Sequence, residues 1–198
     1  MHVVVTGARQ GIGKAVAEHF ARRGDDLFLC SRNMDGTQSW QQALMREHGV
    51  KVMSLNMDLT DKGSVQMFAA KVLEAMGHVD VLVNNAGLFE PGSVHDEPDG
   101  QLEKMLAVNL YSAYHLTRAL LPSMMKRRSG HIFNMCSVAS LRAYPHGGAY
   151  SIAKYALLGF TENLREELRN WTIKVTAVCP GATFTPSWEG SDIPAGRI

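Results

Sequence analysis

"HVVVTGARQGIGKAVAEHFARRG", residues 2–24, sets three patterns side by side. Val3, Val4 and Val5 form a β-branched run with no polar alternation, the signature of a strand covered on both faces. From Gly11 to Gly24 the apolar residues recur with helical period, and the segment closes on a glycine. Between these two lie Gly7, Gly11 and Gly13. Glycine is needed where backbone turns sharply or approaches a bulky anion, and the first turn of a helix favours that anion. A glycine-rich turn alone is a weak signal. Set between an opening strand and a helix, it predicts a pyrophosphate site, with a plain tight turn as the alternative.

The same alternation continues along the chain. "DDLFLCSR" reads as a second strand, and a weaker helix follows from Trp40 to His48. "KVMSLNMDLT" is the third strand and "KGSVQMFAAKVLEAMG" its helix. "VDVLVNNAG" is the fourth strand, and residues of about 100–127 read as one long helix with Pro122 in its last third. "HIFNMCS", a long helix over 150–170 and "IKVTAVCPG" complete the series. Continuous apolar strands separated by helices predict a Rossmann-like, doubly wound parallel sheet in a three-layer α/β/α sandwich. With 198 residues, this is a single domain, 1–198.

Composition narrows the partners. Lysines plus arginines (20) nearly balance aspartates plus glutamates (19), which argues against nucleic acid and anionic membranes. Lys126-Arg127-Arg128 precedes Gly130 and reads as cations at a helix C-terminus rather than a binding patch. The three cysteines, Cys30, Cys136 and Cys179, lie in apolar runs. Their odd number and scatter suit neither a disulfide framework nor a zinc site, so reduced thiols and no metal are expected. An apolar run starting at Val3 leaves no room for a leader, and no stretch is long and charge-free enough to span a bilayer. The expectation is a soluble, cytoplasmic domain.

In a doubly wound sheet, ligands bind beyond the carboxyl ends of the strands. Unusual residues gather at those ends. After the first strand come Gly7, Arg9, Gln10, Gly11, Ile12 and Gly13. The second ends in "CSRN", where Arg32 replaces the carboxylate that would select a free ribose 2′-hydroxyl. A guanidinium there suits a 2′-phosphate, so NADP is expected in preference to NAD, with an ordinary solvated arginine as the alternative. Arg9 offers a second cation. Asp58 and Leu59 follow the third strand, and Asp58 could accept from the adenine amino group. The stretch "NNAG", Asn84, Asn85, Ala86 and Gly87, could line the adenosine side. Ser137 follows the fifth strand. Asn109 lies inside the apolar helix "MLAVNLYSAYHL", where a buried amide needs partners, structural or chemical.

Tyr150 and Lys154 in "YSIAK" stand at i and i+4, on one face of a helix. Together with "TGARQGIG", "NNAG", Asn109 and Ser137, they resemble the short-chain dehydrogenase/reductase family, over Val3 to about Thr185. The resemblance implies hydride transfer between a nicotinamide and a carbonyl or alcohol, such as a 3-oxoacyl compound or a small ketone or aldehyde. Tyr150 would be the general acid or base. A lysine ammonium about 5 Å away at an effective dielectric of about 20 favours a phenolate by roughly 3 kcal/mol. Lys154 would supply that effect and hold the nicotinamide ribose. Ser137 would bond the substrate oxygen, and Asn109 would hold a water leading from Lys154 to solvent. Pro180 and Gly181 would flank the nicotinamide, with Thr183 and Thr185 at its carboxamide or the phosphates. Met135, Tyr144 and His146 could edge the substrate pocket.

Family members continue past the "PG" turn through a covering loop, a further helix and a seventh strand. This sequence ends within that region, and the C-terminal strand and helix are expected to be missing. A homodimer or homotetramer is expected through the long helices around Asn109 and Tyr150. A non-catalytic NADP-binding module is the alternative function, opposed by intact Ser137, Tyr150 and Lys154.

Overall fold

A computed structural model describes residues 1–183. Six strands form one parallel sheet: β1 (His2–Thr6), β2 (Asp26–Ser31), β3 (Val52–Asn56), β4 (Val81–Asn84), β5 (Gly130–Met135) and β6 (Ile173–Val178). Their order is β3-β2-β1-β4-β5-β6. The order reverses between β1 and β4, so the loops after these two strands part and leave a crevice at that edge. Among the described residues, β3 and β6 are the edge strands.

Helices cover both faces. α1 (Gly11–Arg22) and α2 (Gln38–His48) lie on one side, while α3 (Lys62–Met76), α5 (Ser112–Arg127) and α6 (Gly148–Glu167) lie on the other. Successive strand residues point to opposite faces, and β1 shows it directly. Val3 and Val5 pack with Ala17, Phe20 and Leu44, whereas Val4 packs with Phe68, Leu116 and Leu120. This explains the valine run: each residue meets a core, whichever way it points.

The helix boundaries follow capping chemistry. Asp61 accepts a 2.6 Å bond from the Ser64 amide at the start of α3, and that amide holds its carboxyl below the usual range. α2 ends on Gly49 in the left-handed conformation, at φ 67°. The basic cluster Lys126-Arg127-Arg128 closes α5, with Arg128 at its C-cap, as a run of cations before a glycine suggests. Arg127 pairs with Asp80 at 2.7 Å, and the Arg128 guanidinium lies 5.3 Å from the Trp171 ring centre.

Two of the expected helices differ in detail. The single long helix over 100–127 is α4 (Gln101–Leu106), a π-helical turn (Ala107–Tyr111) and then α5. The widened turn is centred on Asn109, whose side chain bonds backbone instead of solvent. The later helix starts at Gly148 and gives way after Glu167 to a 3₁₀ turn, Arg169–Trp171.

Candidate active site

The glycine turn is built as a cradle. Gly7 and Gly11 have φ of 65° and 58°, a region costly for any residue with a Cβ. A Cβ on Gly13 would collide with the Gly7 carbonyl and the Asn85 side chain. Thr6 and Asn85 hold the turn from below. The Thr6 hydroxyl oxygen accepts from the amides of Asn85 and Ala86, both at 2.9 Å. Asn85 Nδ2 donates to the carbonyls of Thr6 (2.9 Å) and Gly7 (3.1 Å). No side chain caps the N-terminus of α1, and its first turn holds no carboxylate. Those orphan N–H groups face a cleft of about 1260 Å³.

Gly7, Arg9, Gln10, Gly11, Ile12 and Gly13 line one end of that cleft, with Arg32, Asp58 and Leu59 beside them. Arg9 and Arg32 are exposed, and neither has an ion-pair partner among the described residues. Asp58 spends one oxygen on the amide (2.9 Å) and hydroxyl (2.7 Å) of Thr60. Ala86, Gly87, Pro180, Gly181 and Thr183 also line the cleft. Thr185 lies outside the described residues.

Asn84 does not line the cleft. As the last residue of β4 it turns to the α5–α6 side, 4% exposed. It donates to Thr117 (3.0 Å) and Asn134 (2.8 Å), and Asn134 donates to Thr161 (2.9 Å). The period-two alternation of the strand sends Asn85, not Asn84, towards the turn. The expectation for Asn84 is therefore corrected: it stitches β4 and β5 to the two helices behind them.

The other end of the cleft gathers Asn109, Ser137, Tyr150 and Lys154. β5 delivers Ser137, which caps a 3₁₀ turn by accepting from Ala139 N at 3.1 Å. α6 delivers Tyr150 and Lys154. Lys154 is 6% exposed, and its Nζ donates to the Met135 carbonyl at 2.8 Å. Burial pushes its ammonium down to about 8. Burial pushes the Tyr150 phenol above its ordinary value, partly offset by a hydrogen bond from Ser137. The lysine effect expected from the spacing alone is not what sets this phenol. The Lys154 ammonium sits over the ring, 5.8 Å from its centre, and is itself stripped of water.

Asn109 is buried in the π turn. Its Nδ2 donates to the carbonyls of Leu88 (3.0 Å) and Met105 (3.1 Å), while Oδ1 accepts from Leu88 N at 3.2 Å. A Cβ on Gly87 would stand 2.9 Å from Asn109 Oδ1 and 3.5 Å from Lys154 Nζ. The absent methyl leaves a gap between the amide and the ammonium. Met135, Tyr144 and His146 also line this cleft.

Two contributors lie outside the sequence expectation, Thr6 under the cradle and Phe89, whose ring meets Tyr150 edge-on at 4.8 Å, while Asn85, expected only along the adenosine side, braces the glycine turn. The doubled asparagine of "NNAG" was the available signal for Asn85. The histidines, scattered in sequence, do meet once: His2, His78 and Asp80 form a group at the opposite end of the strands. Asp80 there already accepts from Arg127 (2.7 Å) and His2 N (2.8 Å), which makes the group a clasp between β1 and β4.

A glycine cradle after β1, with Ser137, Tyr150 and Lys154 around one cleft, agrees with the wider comparison. The family model "short chain dehydrogenase" matches residues 1–193. The chain belongs to the short-chain dehydrogenase family. It is 36% identical over 188 residues to dehydrogenase/reductase SDR family member 7B of Bos taurus, covering 92% of this chain and 58% of that protein. The chain thus spans little more than half the length of that relative. Its fold matches the alcohol dehydrogenase of the archaeon Thermococcus sibiricus complexed with 5-hydroxy-NADP: TM-score 0.87, 33% identity, 92% of this chain and 76% of that one. It also matches L-sorbose reductase of Gluconobacter frateurii complexed with NADPH and L-sorbose: TM-score 0.90, 29% identity, 94% and 71% covered. No helix among the described residues is long and apolar enough to cross a membrane.

Proposed function

We propose that this short-chain dehydrogenase is an NADP-dependent oxidoreductase that interconverts a carbonyl and an alcohol. The observation that carries the reading is one cleft with two ends: a glycine cradle with Arg9 and Arg32, unpaired among the described residues, and a half-buried Ser137 and Tyr150 beside a buried Lys154. The residues fit the dinucleotide. The pyrophosphate would take the open N–H groups of α1, and Arg32 with Arg9 would take the 2′-phosphate. Structural neighbours solved with NADPH and with 5-hydroxy-NADP support this choice. Bound there, the nicotinamide supplies or accepts the hydride.

The chain's own residues manage the proton. Ser137 donates to the substrate oxygen and steadies the charge that develops on it. Tyr150 donates its proton to that oxygen in reduction. Burial pushes its pKa above the ordinary phenol value, so the free site holds Tyr150 as the neutral phenol, the form that donates. Lys154 would hold the ribose hydroxyls, and a water in the gap beside Gly87 would link it to Asn109 and solvent. The mixed lining of Phe89, Tyr144 and His146 suits a small ketone or aldehyde. Tyr111 at the end of the π turn, Tyr114 on α5, and Ile152 and Tyr155 on α6 are exposed, which supports a homodimer through these helices.

NADPH and NADH titration followed by a panel of ketones, aldehydes and 3-oxoacyl thioesters tests the reading. Preferential NADPH binding with turnover supports it. Binding without turnover would favour a non-catalytic NADP-binding module.

A further inference from the structure

The loop between β4 and α4 grips the start of α6 at several points. Phe89 lies against the Tyr150 ring. Gly92 N donates to the His146 carbonyl at 3.1 Å, and Ser93 Oγ meets His146 Nδ1 at 3.1 Å. The last contact is the most informative. Both carboxylate oxygens of Glu97 accept from the Ala149 amide, at 2.9 and 3.2 Å. Ala149 is in the first turn of α6, and the next residue is Tyr150.

Helix N-termini present amides that need acceptors, and a carboxylate is a strong one there. Gly147, the residue at the usual capping position, has no side chain to do this, so the acceptor comes from fifty-two positions earlier. The surrounding glycines are shaped for it. A Cβ on Gly92 would stand 2.6 Å from Glu97 Cγ and Oε1, and a Cβ on Gly148 would collide with Oε1. Gly92 and Gly148 thus form a slot that admits the Glu97 side chain. Two segments remote in sequence, Gly92 with Glu97 and Gly148 with Ala149, make one clasp, and it closes one position before the tyrosine.

We propose that Glu97 is a positioning residue for Tyr150: by capping Ala149 from the β4–α4 loop, it sets where the phenol meets Ser137 and the substrate oxygen. This rests on the oxidoreductase reading above. It extends that reading from the groups that touch substrate to the contact that aims one of them. A displacement of about 1 Å at such a group costs up to about a hundredfold in rate.

The experiment compares Glu97→Ala, Glu97→Gln, Gly92→Ala and the double variant Gly92→Ala/Glu97→Ala, using NADPH and the best carbonyl substrate of the panel. Amide hydrogen exchange at Ala149 reads the clasp itself. Glu97→Ala should lower Ala149 protection and reduce kcat about tenfold, with the NADPH Kd within about twofold of wild type. Glu97→Gln keeps an acceptor oxygen and should retain most of kcat. Gly92→Ala fills the slot and should lose about as much as Glu97→Ala, and the double variant should lose little more than either. Lost protection with unchanged kcat would make the clasp structural only and overturn the proposal, as would a Glu97→Gln variant no better than Glu97→Ala. Should Glu97→Ala fail to fold, Glu97→Gln and Gly92→Ala carry the comparison. If the wild type turned over no carbonyl, the oxidoreductase reading would fail separately. Unchanged Ala149 exchange across the variants would then refute the clasp, and lost protection would leave it a structural contact only, which overturns the positioning role.

Discussion

The two ends of the cleft are made in different ways. At the glycine end the chain offers backbone: left-handed glycines, open amides and room where side chains are absent. Two of its charged groups, Arg9 and Arg32, are exposed and have no ion-pair partner among the described residues. At the catalytic end the chain offers side chains that burial has altered, with Lys154 pushed down and Tyr150 pushed up. Binding a large anion calls for shape and many weak donors. Moving a proton calls for a few groups whose charge states have been shifted by removing water. The two ends should therefore respond differently to substitution.

The largest contrast is expected from Tyr150→Phe. It removes the proton donor and leaves the cradle intact, so turnover should fall by roughly 10³-fold with NADPH affinity nearly unchanged. Steady-state rates beside a fluorescence titration would show it, and a parallel loss of affinity would blur the distinction between the ends. Gly13→Ala is the reciprocal case. Its methyl would push into the Gly7 carbonyl and Asn85, and the NADPH Kd should rise by about a hundredfold, roughly 3 kcal/mol.

Lys154→Met tests the cost of burial. At pH 7 the lysine is charged both folded and unfolded, and folding strips its water. Its folded value of about 8 lies below the ordinary 10.5, so between these pH values the unfolded chain holds more protons and stability rises with pH. Below pH 8 the penalty is on the order of 3 kcal/mol. The variant should melt higher than wild type at pH 7, by about 6–10 °C, and this advantage should shrink as pH rises from 8 to 10.5. A variant that melts lower at pH 7 would mean that the bond from Lys154 to Met135 outweighs desolvation. The smallest effect belongs to the solvated end. Arg32→Asp should change the NADPH/NADH preference by about tenfold, because an exposed guanidinium is screened. An unchanged ratio would remove Arg32 from cofactor choice.

The difference between the ends also explains what could be read from the residues alone. The glycine turn was legible because its demands are local: a positive φ and a missing Cβ follow from chain geometry next to a strand and a helix. The i, i+4 spacing of Tyr150 and Lys154 was legible for the same reason, since one helix carries both. Asn84 was misread because one step along a strand reverses the face, and nothing in "NNAG" marks where β4 stops. The π turn at Asn109 was hidden because it depends on Leu88, twenty-one positions away, accepting and donating to its amide. The Tyr150 phenol was misjudged because a pairwise distance omits the desolvation both partners suffer.

By itself the sequence determined the order of strands and helices, the two-sided burial of the sheet and the residue types at each strand end. These depend on periodicity, on glycine's freedom and on turn chemistry, all acting over a few residues. Only the tertiary structure decided that Asn85 rather than Asn84 braces the cradle, that Lys154 loses its water, and that Glu97 enters a slot between Gly92 and Gly148. Those outcomes depend on burial and on partners remote in the chain. Desolvation and long-range hydrogen bonds exist only once the β4–α4 loop, β5 and α6 have come together.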